Sequence, residues 1–220
     1  KDEVLTYRRA LSKDALFARL NALYEWQTGA EVLVSDIEAV LQLVPARLPV
    51  VTLAAGGETD LSALLRSLVS LGYSREYNVE AKGSFALRGD ILDIWPVNLE
   101  HPVRIDFFGD EVEAIKPYDE VTAERYPVLG SVDICSATDA FYEEGEKERV
   151  LAAMKKEARR AKSSQAAGRM ADIISAIETE EQASDFTLPL LSSAVPFFSV
   201  LDGETLVIFD ECKLISDKLD

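Results

Sequence analysis

The sequence has few of the residues on which catalysis and metal binding usually depend. Its 220 residues include one histidine, His101, and two cysteines, Cys135 and Cys212. The cysteines have neither the spacing of a metal site nor the density of a disulfide framework, which favours a reducing, cytoplasmic location. A cysteine and histidine pair would need His101, which lies far in sequence from either cysteine. The sequence therefore predicts no catalytic residue and no metal site.

Positive charge and long apolar runs are also scarce. The chain has 39 acidic and 23 basic residues, a net charge of −16, which disfavours strong DNA binding because phosphates are neutralised by clustered lysine and arginine. No apolar run approaches the roughly 20 residues that span a bilayer, so we expect a soluble protein without membrane contact. The chain opens on Lys1 rather than methionine, and we expect it to be a piece of a longer protein.

A phosphate-binding loop is missing as well. The pattern GxxxxGK[ST] has no match, so nothing is predicted to hold the phosphates of ATP. The related feature that is present is LVIFDE, in which a predicted strand at 205–209 precedes Asp210 and Glu211. Helicase-like domains hold Mg²⁺ with such a pair, so we interpret it as a degenerate Walker B-like motif. We therefore expect that this chain is not an enzyme. The alternative is that it is a fragment of a nucleotide-dependent ATPase.

Hydrophobic spacing predicts alternating helices and short strands in the first part of the chain, which indicates an α/β protein. The predicted helices cover 12–27, 36–43 and 60–71, and the predicted strands cover 31–35, 49–54 and 132–135.

The region from 142 to 183 is highly charged and helix-forming, with an interruption near 163–168. Its basic cluster is interpreted as a solvated helix face, and direct binding of damaged DNA is the alternative. The cluster comprises Lys155, Lys156, Arg159, Arg160 and Lys162.

The most informative stretch is SFALRGDILDIWPVNLEHPVRIDFFGDEVEAI, residues 84–115. It predicts two successive β-hairpins, because Gly89-Asp90 and Gly109-Asp110 each separate alternating apolar runs and suit a type II′ turn. A two-residue loop pairs Arg88 with Ile91 in the first hairpin and Phe108 with Glu111 in the second.

That register assigns the hairpin residues to two faces, because alternate pairs point to the same side. The predicted core face comprises Phe85, Leu87, Leu92, Ile94, Val103, Ile105, Phe107, Val112 and Ala114. The opposite face comprises Ala86, Arg88, Asp93, Trp95, Arg104, Asp106, Phe108, Glu111 and Glu113. Arginine and aromatic residues are enriched at interfaces, so this face is a candidate contact surface. Exposed ion pairs of both arginines with nearby carboxylates are the alternative.

At these residues the sequence resembles the N-terminal region of bacterial transcription-repair coupling factors, the Mfd family, and more distantly UvrB. The pattern is GSFALRGDILDIWP, a spacer, EHPVRIDFFGDEVEAI and a later YD. The resemblance implies a partial, split helicase-like α/β domain with an inserted, β-hairpin-rich module like the second domain of UvrB. Its parts would be 1–49, 50–136 for the UvrA-interaction module, and 137–220 returning to the α/β domain.

The resemblance also implies a function: binding UvrA, so that a stalled RNA polymerase recruits nucleotide excision repair. The family's contact residues carry over to Arg88, Arg104 and Phe108, and the register adds Asp106 and Trp95 on the same face. This fragment would need no cofactor. ATP, Mg²⁺, RNA polymerase and DNA would be bound by other modules of the parent protein. Ala86 and Cys212 depart from the UvrB pattern, which has arginine and serine there, and favour the coupling factor.

Overall fold

Two consecutive β-hairpins form most of a five-stranded sheet. The structure, a computed structural model, describes residues 13–119, 126–143, 145–161, 163–179 and 185–219. The strands of the sheet are β3 (Ser74–Arg75), β4 (Ser84–Arg88), β5 (Ile91–Ile94), β6 (Val103–Phe108) and β7 (Glu111–Pro117). They lie in the order β3-β4-β5-β6-β7, with β3 parallel to β4 and the other neighbours antiparallel.

The predicted register of the first hairpin is confirmed. Phe85 pairs with Ile94 and Arg88 with Ile91, and the amide of Trp95 donates to the carbonyl of Ser84 at 3.0 Å. Gly89 and Gly109 both have φ of 61°, while neither turn aspartate has positive φ, as a type II′ turn requires. Each of the two Gly-Asp turns therefore sets the strand pairing next to it as the sequence predicted.

The second hairpin follows the predicted register only near its turn. Phe107 pairs with Val112, but the next pair is Asp106 with Ala114, so the strand contains a β-bulge. The prediction that Ala114 faces the core is wrong: Ile115 lies opposite Ile105 and is fully buried. The extra residue lets two large aliphatic side chains of β7, Val112 and Ile115, both reach the core, which buries more apolar surface than Ala114 could.

A second pair of strands flanks this sheet. It consists of β2 (Val50–Ala54) antiparallel to β8 (Ser131–Cys135), both at predicted positions. Helix α3 (Leu61–Ser70) begins at Asp60, whose side chain accepts a hydrogen bond from the amide of Ala63. Apolar residues of these elements and of the hairpins share one core.

Helix α1 (Lys13–Gln27) packs on this core through Leu20 and Leu23. Helix α2 (Ile37–Val40) is shorter than predicted, because the residues after it form β1 (Leu43–Pro45), which pairs with β9 (Ala194–Pro196). Ser12, the first residue of the predicted helix 12–27, lies outside the described residues.

A smaller core belongs to the charged, helical region. It is built mainly from α4 (Glu146–Ala158), α5 (Ser164–Thr179) and the 3-10 helix Asp185–Leu190. A further 3-10 helix covers Phe197–Val200, and α6 (Cys212–Leu219) follows. Within the residues that the structure describes, no helix is both long and apolar enough to span a membrane.

The strands predicted at 31–35 and 205–209 are wrong. Both segments lack regular secondary structure, and both line one groove of about 810 Å³. Their aliphatic side chains are exposed, with Val34 at 89% and Leu206 at 80%. A strand needs a neighbouring backbone for its hydrogen bonds, and no described strand pairs with either segment.

Candidate protein-binding surface

The face of the hairpin sheet that points away from the core carries an interlocked group of charged and aromatic side chains. We call it the outer face and define it by Arg88, Ile91, Asp93, Trp95, Arg104, Asp106, Phe108, Lys116 and Tyr118. Strand pairing places Asp93 beside Arg104, and Arg104 beside Lys116, in one row across β5, β6 and β7. Ile91 lies between Arg88 and Asp106 in the next row.

Asp93 joins the two predicted contact arginines. The Nη2 atom of Arg88 lies 2.5 Å from Oδ2 of Asp93, and Arg104 donates from Nε to Oδ1 at 2.7 Å and from Nη2 to Oδ2 at 2.9 Å. The Asp93 side chain is 1% exposed, whereas those of Arg88 and Arg104 are 49% and 40% exposed. The hydrogen bonds from Arg104 to Asp93 raise the pKa of this guanidinium above its ordinary value. One buried carboxylate thus holds two exposed cations, leaving a net positive charge.

Neighbouring side chains fix the rest of the outer face. The guanidinium carbon of Arg104 lies 5.5 Å from the ring centre of Tyr118, within the range of a cation–π interaction. Lys116 donates to Asp106 at 2.5 Å, so Asp106 is already engaged within the sheet. Trp95 is half-buried, and its Nε1 atom is buried without a hydrogen bond within the described part of the chain.

Two apolar side chains of the outer face are exposed beside the charged group. Phe108 is 78% exposed and Ile91 is 37% exposed. An exposed aromatic next to ordered arginines is the combination found at the energetic centres of protein interfaces. The outer face can therefore offer a partner both directed cationic donors and an apolar anchor.

Sequence reasoning placed the arginines and Phe108 on this face but missed the residues that order them. Asp93 was predicted to share the outer face, yet nothing in the alternating pattern indicated that it is buried between two arginines. Tyr118 and Lys116 were not singled out, because the bulge in β7 sets which of its residues face outward. The YD after the second hairpin was the one available signal for Tyr118.

The other predicted candidates lie elsewhere. Asp210 and Glu211 follow an exposed irregular segment rather than a strand and form the turn that begins α6, where Glu211 accepts from the amide of Leu214 at 2.8 Å. In the basic cluster, Lys155 pairs with Glu178 and Arg160 with Glu157, while Lys162 lies outside the described residues. No group of three or more His, Cys, Asp or Glu side chains among the described residues is arranged to hold a metal ion.

The region that contains the outer face matches a known protein family. Residues 51–139 match the family model of the UvrB interaction domain. This span includes both hairpins, β8, all of β2 except Val50, and every residue of the outer face.

The chain is also similar to proteins named transcription-repair-coupling factor. It is 35% identical to that of Myxococcus xanthus over 148 residues, which are 64% of this chain and 12% of the relative. It is 34% identical to that of Staphylococcus aureus strain bovine RF122 over 131 residues, 59% of this chain and 10% of the relative. The matched stretches thus span about a tenth of these relatives. The resemblance that the hairpin pattern indicated is confirmed: the chain is similar to transcription-repair-coupling factors, and its residues 51–139 match the UvrB interaction domain.

Proposed function

We propose that this chain is the protein-interaction module with which a transcription-repair coupling factor binds UvrA, so that excision repair is recruited to a stalled RNA polymerase. The observation that carries the proposal is the outer face, where Arg88, Arg104 and Phe108 stand exposed within the span that matches the UvrB interaction domain. Arg88 and Arg104 give charge-assisted hydrogen bonds to acidic groups of UvrA. Phe108 fills an apolar pocket.

The same proposal assigns a role to the rest of the chain. Residues 50–136 form the interaction module, inserted into a helicase-like α/β domain to which 1–49 and 137–220 contribute. The pairing of β1 with β9 supports this division, because it joins a segment before the module to a segment well after it. The module is then held at both ends by one scaffold, which fixes the direction of the outer face.

We further propose that this fragment needs no cofactor and hydrolyses no ATP. RNA polymerase, DNA, ATP and Mg²⁺ are bound by other modules of the parent protein. The absence of a GxxxxGK[ST] loop supports this, as does the exposed, irregular position of Asp210 and Glu211. Incubating the chain with ATP and Mg²⁺ tests it, and turnover above that of a buffer control would contradict it.

The test of UvrA binding uses the 220-residue chain and immobilised UvrA. The double variant Arg88→Ala plus Arg104→Ala removes both cations, and truncating paired interface charges costs about 2 to 5 kcal/mol, so affinity should fall roughly 30-fold or more. Arg47→Ala plus Arg66→Ala is the matched control, because it removes the same charge from exposed positions outside the outer face. Binding of the first variant at the level of this control, with both proteins folded, would refute the proposal.

A further inference from the structure

We propose that Asp93 is the positioning residue of this interface: it holds Arg88 and Arg104 in fixed conformations so that both guanidinium groups meet acidic side chains of the partner. The inference rests on the proposed function and deepens it. It concerns a residue that itself makes no contact with the partner.

The position of Asp93 in the sheet suits this role. Its strand, β5, lies between β4 and β6, so a short side chain there is within reach of both neighbouring strands. Arg104 is its direct neighbour across one ladder, and Ala86 is its neighbour across the other. Because Ala86 has no side chain beyond Cβ, Arg88 can reach the carboxylate of Asp93 along the diagonal.

The hydrogen bonds leave donors for a partner. An arginine has five N–H donors. Arg104 gives the carboxylate one from Nε and one from Nη2, and Arg88 gives it one from Nη2. The Nη1 groups of both arginines have no hydrogen bond among the described residues, and both side chains are substantially exposed. Two cations on one carboxylate leave one positive charge, and the forked donors match carboxylates of the partner.

Burial of Asp93 makes the arrangement rigid. Its 1% exposed carboxylate receives three hydrogen bonds, and the cation–π contact with Tyr118 restrains Arg104 further. An arginine that is already ordered loses less conformational freedom when a partner binds. Releasing both arginines should therefore weaken binding by about 10- to 100-fold, although neither is removed.

The experiment is a mutant cycle on UvrA binding by the full 220-residue chain. Asp93→Asn keeps the shape but removes the charge, and we expect binding to weaken about 10-fold or more. Asp90→Asn, an exposed turn residue of the same hairpin, is the matched control and should bind as the parent does. In the Arg88→Ala plus Arg104→Ala background, Asp93→Asn should weaken binding no further. There it should instead raise the melting temperature, because it removes a buried carboxylate that has lost its partners.

The possible outcomes bear differently on the proposed UvrA binding and on the role of Asp93. Equal weakening by Asp93→Asn in both backgrounds would mean a general structural role and would overturn the inference, as would unchanged binding in the parent background. Unchanged binding by the double arginine variant would refute the proposed function and this inference with it. If Asp93→Asn does not fold, the NMR signal of the Arg104 Nε–H group in the parent protein tests the inference instead. A sharp, shifted signal supports the inference, and a signal averaged like that of exposed Arg66 overturns it.

Discussion

Glu146 on α4 accepts two hydrogen bonds of 2.6 Å from Ser192, one from its backbone amide and one from its hydroxyl. The same carboxylate accepts from Arg149 at 2.6 Å and from the amide of Glu143 at 3.1 Å. Its side chain is 3% exposed. It therefore ties the first turn of α4 to the segment that follows the 3-10 helix, at the edge of the smaller core.

This carboxylate should make stability depend on pH. Burial alone would raise the pKa of Glu146, but the hydrogen bonds from Ser192, Glu143 and Arg149 outweigh it and lower the pKa from 4.5 to about 2. An acidic group whose pKa is lower in the folded state stabilises that state when it is ionised. Glu146 therefore contributes fully above pH 4.5 and loses this contribution as the pH falls towards 2. The contribution is at most about 3 kcal/mol. Urea denaturation at several pH values should show stability falling across this window.

Glu146→Gln should lower the free energy of unfolding at pH 7 by about 1 to 3 kcal/mol and flatten its decline below pH 4.5. Glu148→Gln is the matched control, since Glu148 is exposed in the same turn of α4. The assignment would be contradicted if both variants kept the pH dependence of the parent.

The hairpins could be predicted because residues close together in sequence determine their pairing. A Gly-Asp turn fixes the register, and the alternating pattern around it then decides which residues face the core. Arg88, Arg104 and Phe108 were placed on the outer face for that reason. The ion pairs of both arginines with Asp93 could not be predicted. Alternation shows which face of the sheet a residue lies on, but it does not show which side chains contact each other or that a carboxylate is buried.

The strand predictions failed where the determining contact is not local. The segments 31–35 and 205–209 have the composition of strands, yet a strand forms only beside another. The bulge in β7 was missed for a related reason: alternation from Val112 continues to Ala114, and only packing against Ile105 places Ile115 in the core instead.

The bulge predicts effects of very different size at Ala114 and Ile115. Ile115→Ala should destabilise the protein by about 2 to 5 kcal/mol, because it removes a fully buried side chain from the core. Ala114→Ser should change stability by less than about 1 kcal/mol, since Ala114 lies opposite Asp106 and away from the core. Chemical denaturation measures both. A larger loss for Ala114→Ser than for Ile115→Ala would mean that β7 alternates without a bulge, with Ala114 in the core.

The aliphatic residues of the exposed segment 205–209 should tolerate charged substitutions. Leu206→Lys plus Ile208→Lys should change the free energy of unfolding by less than about 1 kcal/mol, because these side chains are 80% and 79% exposed. It should also reduce concentration-dependent self-association, which large exposed apolar patches promote. Leu20→Lys on α1 serves as the contrast, since Leu20 is fully buried and its charge could not be solvated. Sedimentation velocity measures the self-association, and urea denaturation measures the free energy of unfolding.

Phe108 separates binding from folding more cleanly than the arginines do, because it is 78% exposed and close to a hairpin turn. Phe108→Ala should weaken UvrA binding by about 2 kcal/mol, roughly 30-fold, as expected for an aromatic anchor at an interface. Its melting temperature should stay within about 2 °C of the parent, since little buried surface is lost. Tyr77→Ala is the matched control, because Tyr77 is 85% exposed outside the outer face and should affect neither quantity. If Phe108→Ala binds UvrA like Tyr77→Ala, the apolar anchor is not Phe108, and the charged group around Asp93 must account for recognition without it.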